Sequence, residues 1–268
     1  MKKGTLRSFI IVALVGIIIF SVWNIIKIQM DYKEGNDVYE NARKEFMTEE
    51  EYVPKDETIS VSAGEEQEIP LDKRINFSKL KEANEDIIGW INIPGTTVDY
   101  PLLINVRSND DYIYTTYEGK YSAFGSIFVD YRNNRGFIDE NTVIYGHNMQ
   151  NGAMFGHLMK FGKADFAESN RFVYILTEKG VEVYEIYSAY RTLANSASYD
   201  FRFDTESGYQ NFINMTVRNS VINNNVEVGL SDKIITMSTC TDTERTLNRF
   251  VVHAKYVETR ESQKEVNT

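Results

Sequence analysis

An uninterrupted apolar stretch near the start of the chain, residues 9–26, constrains its fold more than any other feature. Only Ser21 and Asn24 carry polar side chains within these 18 residues. As a helix, the stretch would be about 27 Å long, which is close to the thickness of the hydrocarbon core of a bilayer. The sequence therefore predicts a transmembrane anchor over residues 9–26.

The charges around this stretch predict its orientation. The basic residues that precede it are Lys2, Lys3 and Arg7. By the positive-inside rule, we expect residues 1–8 to be cytoplasmic and the rest of a single-pass chain to be extracellular. A cleaved signal peptide is the rival interpretation, but residues 26–30 offer no small-residue cleavage site. An uncleaved anchor in the cell membrane is therefore favoured.

Composition limits the kinds of partner and cofactor that the 268 residues can have. The formal net charge is −10, which repels phosphate backbones and argues against a nucleic-acid partner. The single cysteine, Cys240, excludes an intrachain disulfide and a multi-cysteine metal site. The three histidines lack the spacing of metal ligands, so we expect neither a metal nor a cofactor.

Beyond the anchor, the pattern is that of a mainly β domain. Residues 27–75 are polar and charged, and we interpret them as an extracellular helical and linker region with an amphipathic helix near 31–51. Short strand-like runs then recur at 87–93, 98–103, 125–129, 142–145, 172–176, 181–190, 234–239 and 250–257. Many short strands with few helices predict an antiparallel barrel or sandwich. One helix is predicted over 208–219, and a disordered tail over 259–268.

Cys240 is the first candidate for a catalytic group. It ends a predicted strand and opens a polar loop, in the segment Thr-Met-Ser-Thr-Cys-Thr-Asp-Thr at 236–243. A lone cysteine is by default a small buried apolar residue. Here, however, the neighbours are hydroxyls and a carboxylate, and strand-end loops are where sheet proteins place reactive groups. The setting favours a nucleophilic thiol.

A nucleophilic thiol needs a base or an imidazolium partner. Only His147 shares the strand-end setting of Cys240, in the loop Tyr-Gly-His-Asn. His157 is interpreted as a surface or packing residue, and His253, inside the last predicted strand, as a structural residue. His147 is therefore the preferred partner of the thiol.

Acyl transfer also needs a group that stabilises the oxyanion. Arg249 lies nine residues after Cys240, at the entry to an apolar strand. A loop between two adjacent strands would bring Arg249 back beside the cysteine. Arg245, in the middle of that loop, is the competing candidate.

Taken together, these motifs resemble the class B sortases of Gram-positive bacteria. Residues 236–240 resemble the sortase signature T-L-x-T-C, with Met237 in place of the usual leucine, a mild apolar change. Tyr-Gly-His-Asn at 145–148 resembles the sortase histidine loop, and Arg249 resembles the sortase arginine. Residues 86–102 and 125–133 are similar to two further class B segments. The resemblance runs from about residue 76 to residue 257 in consistent order.

The resemblance implies an eight-stranded sortase-type β-barrel over residues 76–258, with N-terminal helices and a helix in the connection between strands 6 and 7. It also implies a cysteine transpeptidase. In that reaction, a thiolate cleaves a sorting motif after Thr, near the C-terminus of a surface protein. The resulting thioacyl-enzyme passes the protein to an amine of the cell-wall precursor.

The resemblance further implies roles for particular residues. The catalytic residues would be Cys240 as nucleophile, His147 as imidazolium and Arg249 as oxyanion donor. The candidate substrate contacts are Tyr145, Ser238, Thr239, Asn109 and Ile113. Two alternatives remain open at this point: a cysteine endopeptidase that only hydrolyses peptides, and a non-catalytic surface scaffold.

Overall fold

A computed structural model describes residues 3–48, 58–60, 66–68, 74–241 and 247–261. The four α-helices in this part of the chain are α1 (Lys3–Phe46), α2 (Phe77–Ala83), α3 (Ala164–Ser169) and α4 (Glu206–Asn219). The side chain of Asn76 caps α2 by accepting from the Lys79 amide, and that of Thr205 caps α4 by accepting from the Gly208 amide. The cap at Thr205 explains why α4 begins at Glu206, two residues before the predicted helix.

The centre of the molecule is a closed barrel. Its eight strands are β1 (Ile87–Asn92), β2 (Asp99–Leu103), β3 (Ile127–Val129), β4 (Asn141–Tyr145), β5 (Phe172–Thr177), β6 (Gly180–Leu193), β7 (Ile234–Cys240) and β8 (Asn248–Glu261). They run around the barrel in the order β6-β8-β7-β4-β3-β2-β1-β5, with β5 pairing to β6. The barrel itself and the helix α4 between strands 6 and 7 are confirmed.

The expectation of a purely antiparallel sheet is wrong at two places. β2 pairs with β3 in parallel, and β4 pairs with β7 in parallel. Parallel neighbours need a long crossover connection, and the chain from β4 to β7 supplies one through β5, β6 and α4. The second parallel pair matters for the site, because the ends of β4 and β7 then lie side by side.

Apolar side chains fill the barrel and its immediate surroundings. Trp90, Ile91 and Ile175 are fully buried within one large cluster that also includes residues of β7 and β8. A second cluster holds α4 against the outside of β6 through Tyr209, Phe212 and Ile213, and includes Tyr187. These three α4 residues lie within about one turn of each other, as the helical pattern predicts.

The N-terminal region is more continuous than the sequence predicts. The expected anchor and the expected amphipathic helix form one helix, α1, which runs from Lys3 to Phe46. Residues 8–30 of this helix are exposed apart from the half-buried Asn24, whereas Tyr39, Ala42 and Phe46 are buried against the barrel. In the part of the chain that the structure describes, α1 alone is long and apolar enough to cross a membrane.

The remainder of the 27–75 region and the C-terminal tail are only partly described. Two short ladders join Met47–Thr48 to Arg74–Ile75 and Thr58–Ser60 to Glu66–Glu68. At the other end of the chain, a disordered tail is predicted from residue 259. This prediction is wrong for the first three residues of the tail, because β8 continues to Glu261 by pairing with the start of β6. Residues 262–268 lie outside the described residues.

His253 is the structural strand residue that the sequence predicts. Its ring is fully buried in β8, where it bonds Thr236 Oγ1 at 2.8 Å and the Tyr190 hydroxyl at 3.1 Å. Burial lowers the pKa of His253 to about 3. The unfolded chain, with an ordinary histidine pKa near 6.5, binds this proton more readily than the folded chain.

Acidification is therefore expected to destabilise the fold through His253. The contribution is fully present above about pH 6.5 and is lost as the pH falls towards 3, by about 2 kcal/mol between pH 7 and pH 5. Urea unfolding of the full chain in detergent, followed by near-UV circular dichroism, measures this loss. The acid-induced loss of stability should be smaller by that amount in His253→Gln. It should be retained in the control His157→Gln, which replaces a half-exposed histidine. An identical pH dependence in wild type and His253→Gln would refute the assignment.

Candidate active site

The end of β7 places Cys240 at the mouth of the barrel. Cys240 is the last residue of the strand, and its free thiol is half-buried. Its backbone carbonyl accepts a 2.8 Å hydrogen bond from Nδ2 of Asn148. The two residues before it, Ser238 and Thr239, are buried. The thiol therefore sits where the strand emerges from the core, accessible but fixed by its backbone.

Arg249 lies directly across from Cys240 on the neighbouring antiparallel strand. The two residues are register partners in the β7–β8 ladder. Side chains of directly opposed residues project from the same face of a sheet, with Cβ atoms about 5 Å apart. The Arg249 guanidinium also donates to the Asn248 carbonyl at 2.9 Å. The competing candidate, Arg245, lies outside the described residues.

The loop after β4 brings His147 to the other side of Cys240. The last register pair of the parallel β4–β7 ladder is Tyr145 with Ser238. Beyond it, the Gly146 amide donates to the Ser238 carbonyl at 3.2 Å, and Thr239 Oγ1 donates to the Gly146 carbonyl at 2.8 Å. The Asn148 side chain, already bonded to Cys240, holds the next turn of the loop.

His147 lies two residues beyond Tyr145, just as Cys240 lies two residues beyond Ser238, so the two residues are at about the same level along the parallel strands. Residues 147, 240 and 249 therefore lie near one another at the ends of three adjacent strands, and we call these three residues the cross-strand row. Adjacent strands are about 4.8 Å apart, so the three residues occupy a short stretch of one barrel end. A thiol, an imidazole and a guanidinium together provide the groups that acyl transfer through a thioester requires.

The ring of His147 is held by the segment before β3. Its Nε2 lies 2.6 Å from the Ile113 carbonyl oxygen, and its ring centroid is 5.4 Å from that of Tyr114. A carbonyl only accepts, so Nε2 carries the proton and Nδ1 is left for a second partner. Burial lowers the pKa of His147, and the bond to Ile113 opposes that shift. Burial therefore favours the neutral form of the ring, which can accept a proton at Nδ1.

Tyr199 belongs to the site, although no sequence motif marks it. Its ring stacks on Tyr145 with centroids 6.1 Å apart, and its hydroxyl bonds Ser238 Oγ at 2.8 Å. Burial raises the pKa of Tyr199, while the nearby Arg249 guanidinium lowers it. Tyr199 lies in the short 3-10 turn Ala197–Tyr199, and only the crossover between β6 and β7 brings it to this end of the barrel.

Tyr145 is anchored from its other end. Its hydroxyl donates to Asp130 Oδ2 at 3.0 Å, and the Arg132 guanidinium donates to both oxygens of the same carboxylate, each at 2.9 Å. Burial acts to raise the pKa of Asp130, but the bonds from Arg132 and Tyr145 outweigh it, so that pKa lies below the usual range. Arg132 also packs over the Phe201 ring at 4.9 Å. These contacts fix the orientation of the Tyr145 ring beside the row.

The other predicted substrate contacts divide into two groups. Ser238 and Thr239 are each only 2% exposed, and their hydroxyls are bonded to Tyr199 and to the Gly146 carbonyl. In this structure both side chains contribute to the internal packing of the loop, and their contact with substrate stays a prediction. Asn109 and Ile113 are both half-buried, and the Ile113 carbonyl contacts His147. The Asn109 side chain accepts from the Tyr131 amide at 2.8 Å.

The remaining polar groups do not suggest a metal centre. Within the described ranges, no cluster of three or more His, Cys, Asp or Glu side chains could hold a metal ion. His157, the third histidine, accepts from the Thr97 amide at 3.2 Å and bonds Lys160 at 2.8 Å. It lies in the 3-10 helix Gly156–Gly162, after the His147 loop.

Comparison with known proteins gives consistent matches. A family model described as the sortase domain matches residues 91–257. The chain is 31% identical over 258 residues to sortase B of Staphylococcus aureus, covering 96% of this chain and 99% of the relative. It is 32% identical over 263 residues to sortase B of Listeria monocytogenes, covering 95% and 98%.

Solved structures agree with these matches. Sortase B from Bacillus anthracis in complex with AAEK1 has a TM-score of 0.70 and 31% identity, covering 86% of this chain and 99% of that one. A Staphylococcus aureus sortase B–substrate complex has a TM-score of 0.65 and 35% identity, covering 69% and 85%. Sortase B complexed with triglycine has a TM-score of 0.65 and 35% identity, covering 69% and 86%.

Proposed function

The chain belongs to the sortase family as a class B cysteine transpeptidase, and from that premise we propose that the cross-strand row Cys240, His147 and Arg249 carries out the reaction. The observation that supports this assignment is the β7–β8 register, which pairs Cys240 with Arg249, together with the parallel β4–β7 pairing, which ends two residues before His147. Cys240 is the sole thiol of the chain, so no other cysteine can serve as nucleophile.

The proposed chemistry has two half-reactions. The Cys240 thiolate attacks the carbonyl carbon of the Thr in a sorting motif, and the C–S bond forms as the peptide C–N bond breaks. His147, protonated at Nδ1 by the Cys240 thiol as the thiolate forms, gives that proton to the departing amine. An incoming amine then attacks the thioester and loses its proton to His147, and the C–S bond breaks to regenerate the thiolate. Arg249 stabilises the negative oxygen of each tetrahedral intermediate.

The partners of this reaction follow from what similar proteins bind. One similar sortase B structure contains substrate, and another contains triglycine. We therefore propose surface proteins with a sorting motif as acyl donors and a primary amine of the cell-wall precursor as acceptor. Tyr145, Asn109 and Ile113 are proposed as walls of the donor groove, and of these the Ile113 carbonyl contacts His147 directly.

The location of these partners agrees with an anchored enzyme. The exposed apolar part of α1 supports a single membrane span over residues 9–26. We propose that residues 1–8 are cytoplasmic and that the barrel, from about 76 to 258, faces the outside with the helical and linker region between them. Both proposed partners are found on that side of a Gram-positive membrane.

Transfer and hydrolysis are separated by product analysis. The full chain is incubated with a candidate sorting-motif peptide, with and without a short glycine peptide as amine acceptor. Transpeptidation predicts a product that joins the two peptides and forms faster as acceptor is added. Release of the free acid at an unchanged rate, with no joined product, would instead support the endopeptidase alternative. The absence of any turnover would support the scaffold.

Arg249 offers a specific test of the oxyanion role. Arg249→Lys keeps the positive charge but removes the planar fork, and we expect kcat to fall by about 100-fold with KM changed much less. Steady-state kinetics of peptide transfer measure both constants. Arg218→Lys, an exposed arginine of α4, is the matched control and should behave as wild type. An Arg249→Lys enzyme within about twofold of wild type would exclude the role.

A further inference from the structure

The part of α1 that lies beyond the predicted membrane span packs on the barrel along one stripe. Tyr32, Gly35, Tyr39, Ala42 and Phe46 follow one another at intervals of three or four residues, so they share a face of the helix. Tyr39, Ala42 and Phe46 are buried and belong to the main apolar cluster of the barrel. The helix is therefore part of the folded domain and not a tether beside it.

The stripe makes its closest contacts with the residues just before β3. The Tyr39 hydroxyl donates to the Gly125 carbonyl, and its ring meets Tyr100 edge-on with centroids 5.1 Å apart. A Cβ atom at Gly35 would overlap the Phe124 ring, so the small residue lets the helix approach closely. Through these contacts, α1 holds the backbone of residues 124 and 125 in place.

That backbone in turn supports the carbonyl that binds His147. Gly125 has a φ of +56°, and a Cβ atom there would overlap the Ile113 carbonyl oxygen. The neighbouring Ser126 donates its amide to the Tyr112 carbonyl at 3.0 Å and its hydroxyl to the Thr115 carbonyl at 2.7 Å. Residues 125 and 126 thus contact the segment 112–115 on both sides of Ile113 and hold its backbone in place.

The last link is the hydrogen bond between the Ile113 carbonyl oxygen and His147 Nε2, at 2.6 Å. We propose that α1 is a positioning element for the transfer reaction, in which Tyr39 fixes Gly125, the 125–126 backbone fixes the Ile113 carbonyl, and that carbonyl orients the His147 ring. Tyr39 acts as a positioning residue, since it contacts neither the substrate nor the reacting atoms. The proposal rests on the proposed role of His147.

Removal of the Tyr39 hydroxyl tests the proposal. Tyr39→Phe keeps the ring and its packing but leaves the Gly125 carbonyl without its donor. Small displacements of a catalytic group cost large factors in rate, so we expect kcat to fall about 10-fold with KM little changed. The full chain in nanodiscs, labelled with ¹⁵N-histidine, should also show a shifted Nε2 resonance for His147. A purely structural role for Tyr39 would not move that resonance.

Tyr184→Phe is the matched control. Tyr184 is also a buried tyrosine with a hydroxyl bond, to Glu182 at 2.7 Å, but it lies towards the opposite end of β6 from Arg249's partner Thr192. Its variant should lose a similar amount of thermal stability, with kcat and the His147 resonance unchanged.

Two results would overturn the positioning role. One is a Tyr39→Phe enzyme that has lost stability but keeps the wild-type kcat and His147 resonance. The other is a fall in kcat with an unchanged His147 resonance, because the loss of activity would then not come from a changed orientation of the His147 ring. Failure of the proposed function is a separate result, since a wild-type chain without transfer activity can still be compared with Tyr39→Phe by its histidine resonances.

Discussion

Replacement of Cys240 by alanine is expected to lower kcat for peptide transfer by about 10⁵-fold or more. The thiol supplies the atom that forms the covalent intermediate, and the remaining groups of the row can only bind and polarise the substrate. No second cysteine exists to take its place. The side chain is small and half-buried, so the melting temperature should change by only a few degrees.

The control for this prediction is Cys240→Ser, which keeps a similar volume. It is expected to be inactive as well, because a serine hydroxyl beside His147 loses its proton far less readily than a thiol and is a far weaker nucleophile than a thiolate. Both variants are assayed by chromatography of the transfer product and by thermal melting. Transfer by folded Cys240→Ala at more than about 1% of the wild-type rate would contradict a cysteine nucleophile.

Replacement of Gly125 by alanine is expected to lower both the activity and the stability of the protein. The residue adopts a φ of +56°, where a side chain adds strain of about 1 kcal/mol. In addition, the new Cβ would overlap the Ile113 carbonyl oxygen, which must move and take its bond to His147 with it. We expect kcat to fall by about 100-fold, because His147 loses its orientation. Kinetics and urea unfolding of the full chain measure the two effects separately.

Gly119 provides a matched control for the strain alone. It too has a positive φ, +78°, but a Cβ atom there would meet nothing within 4 Å. Gly119→Ala should therefore lose about 1 kcal/mol of stability with kcat unchanged. If Gly119→Ala and Gly125→Ala lose the same stability and both keep full activity, the Ile113 carbonyl is not needed to orient His147.

The barrel strands were predictable because each is a short run of β-branched and aromatic residues between turn residues. The predicted run at 87–93 and the observed β1, Ile87–Asn92, differ by a single residue. The extension of β8 to Glu261 was missed, because its last residues are polar and are ordered by pairing with β6. Pairing between distant strands leaves no local signal, and for that reason the parallel β4–β7 pair was also missed.

The site was predictable to the extent that its chemistry is local. Cys240, His147 and Arg249 each stand out by residue type at a strand end, where Cys240 pairs with Arg249 and the loop that carries His147 follows the parallel strand β4. Tyr199 could not be found in this way, since a tyrosine in a turn is ordinary until the crossover stacks it on Tyr145. The burial of Ser238 depends likewise on Tyr199, which covers it from a different part of the chain.

Intact-mass spectrometry of the full chain, incubated with candidate sorting-motif peptides in the absence of an amine acceptor, tests the role of Cys240 most directly. One acyl group is expected on Cys240, with the mass of the peptide up to and including its Thr, and a short glycine peptide added later should remove it. Peptide cleavage with an unmodified thiol, or an acyl group on any other residue, would contradict a thioacyl intermediate at the cross-strand row.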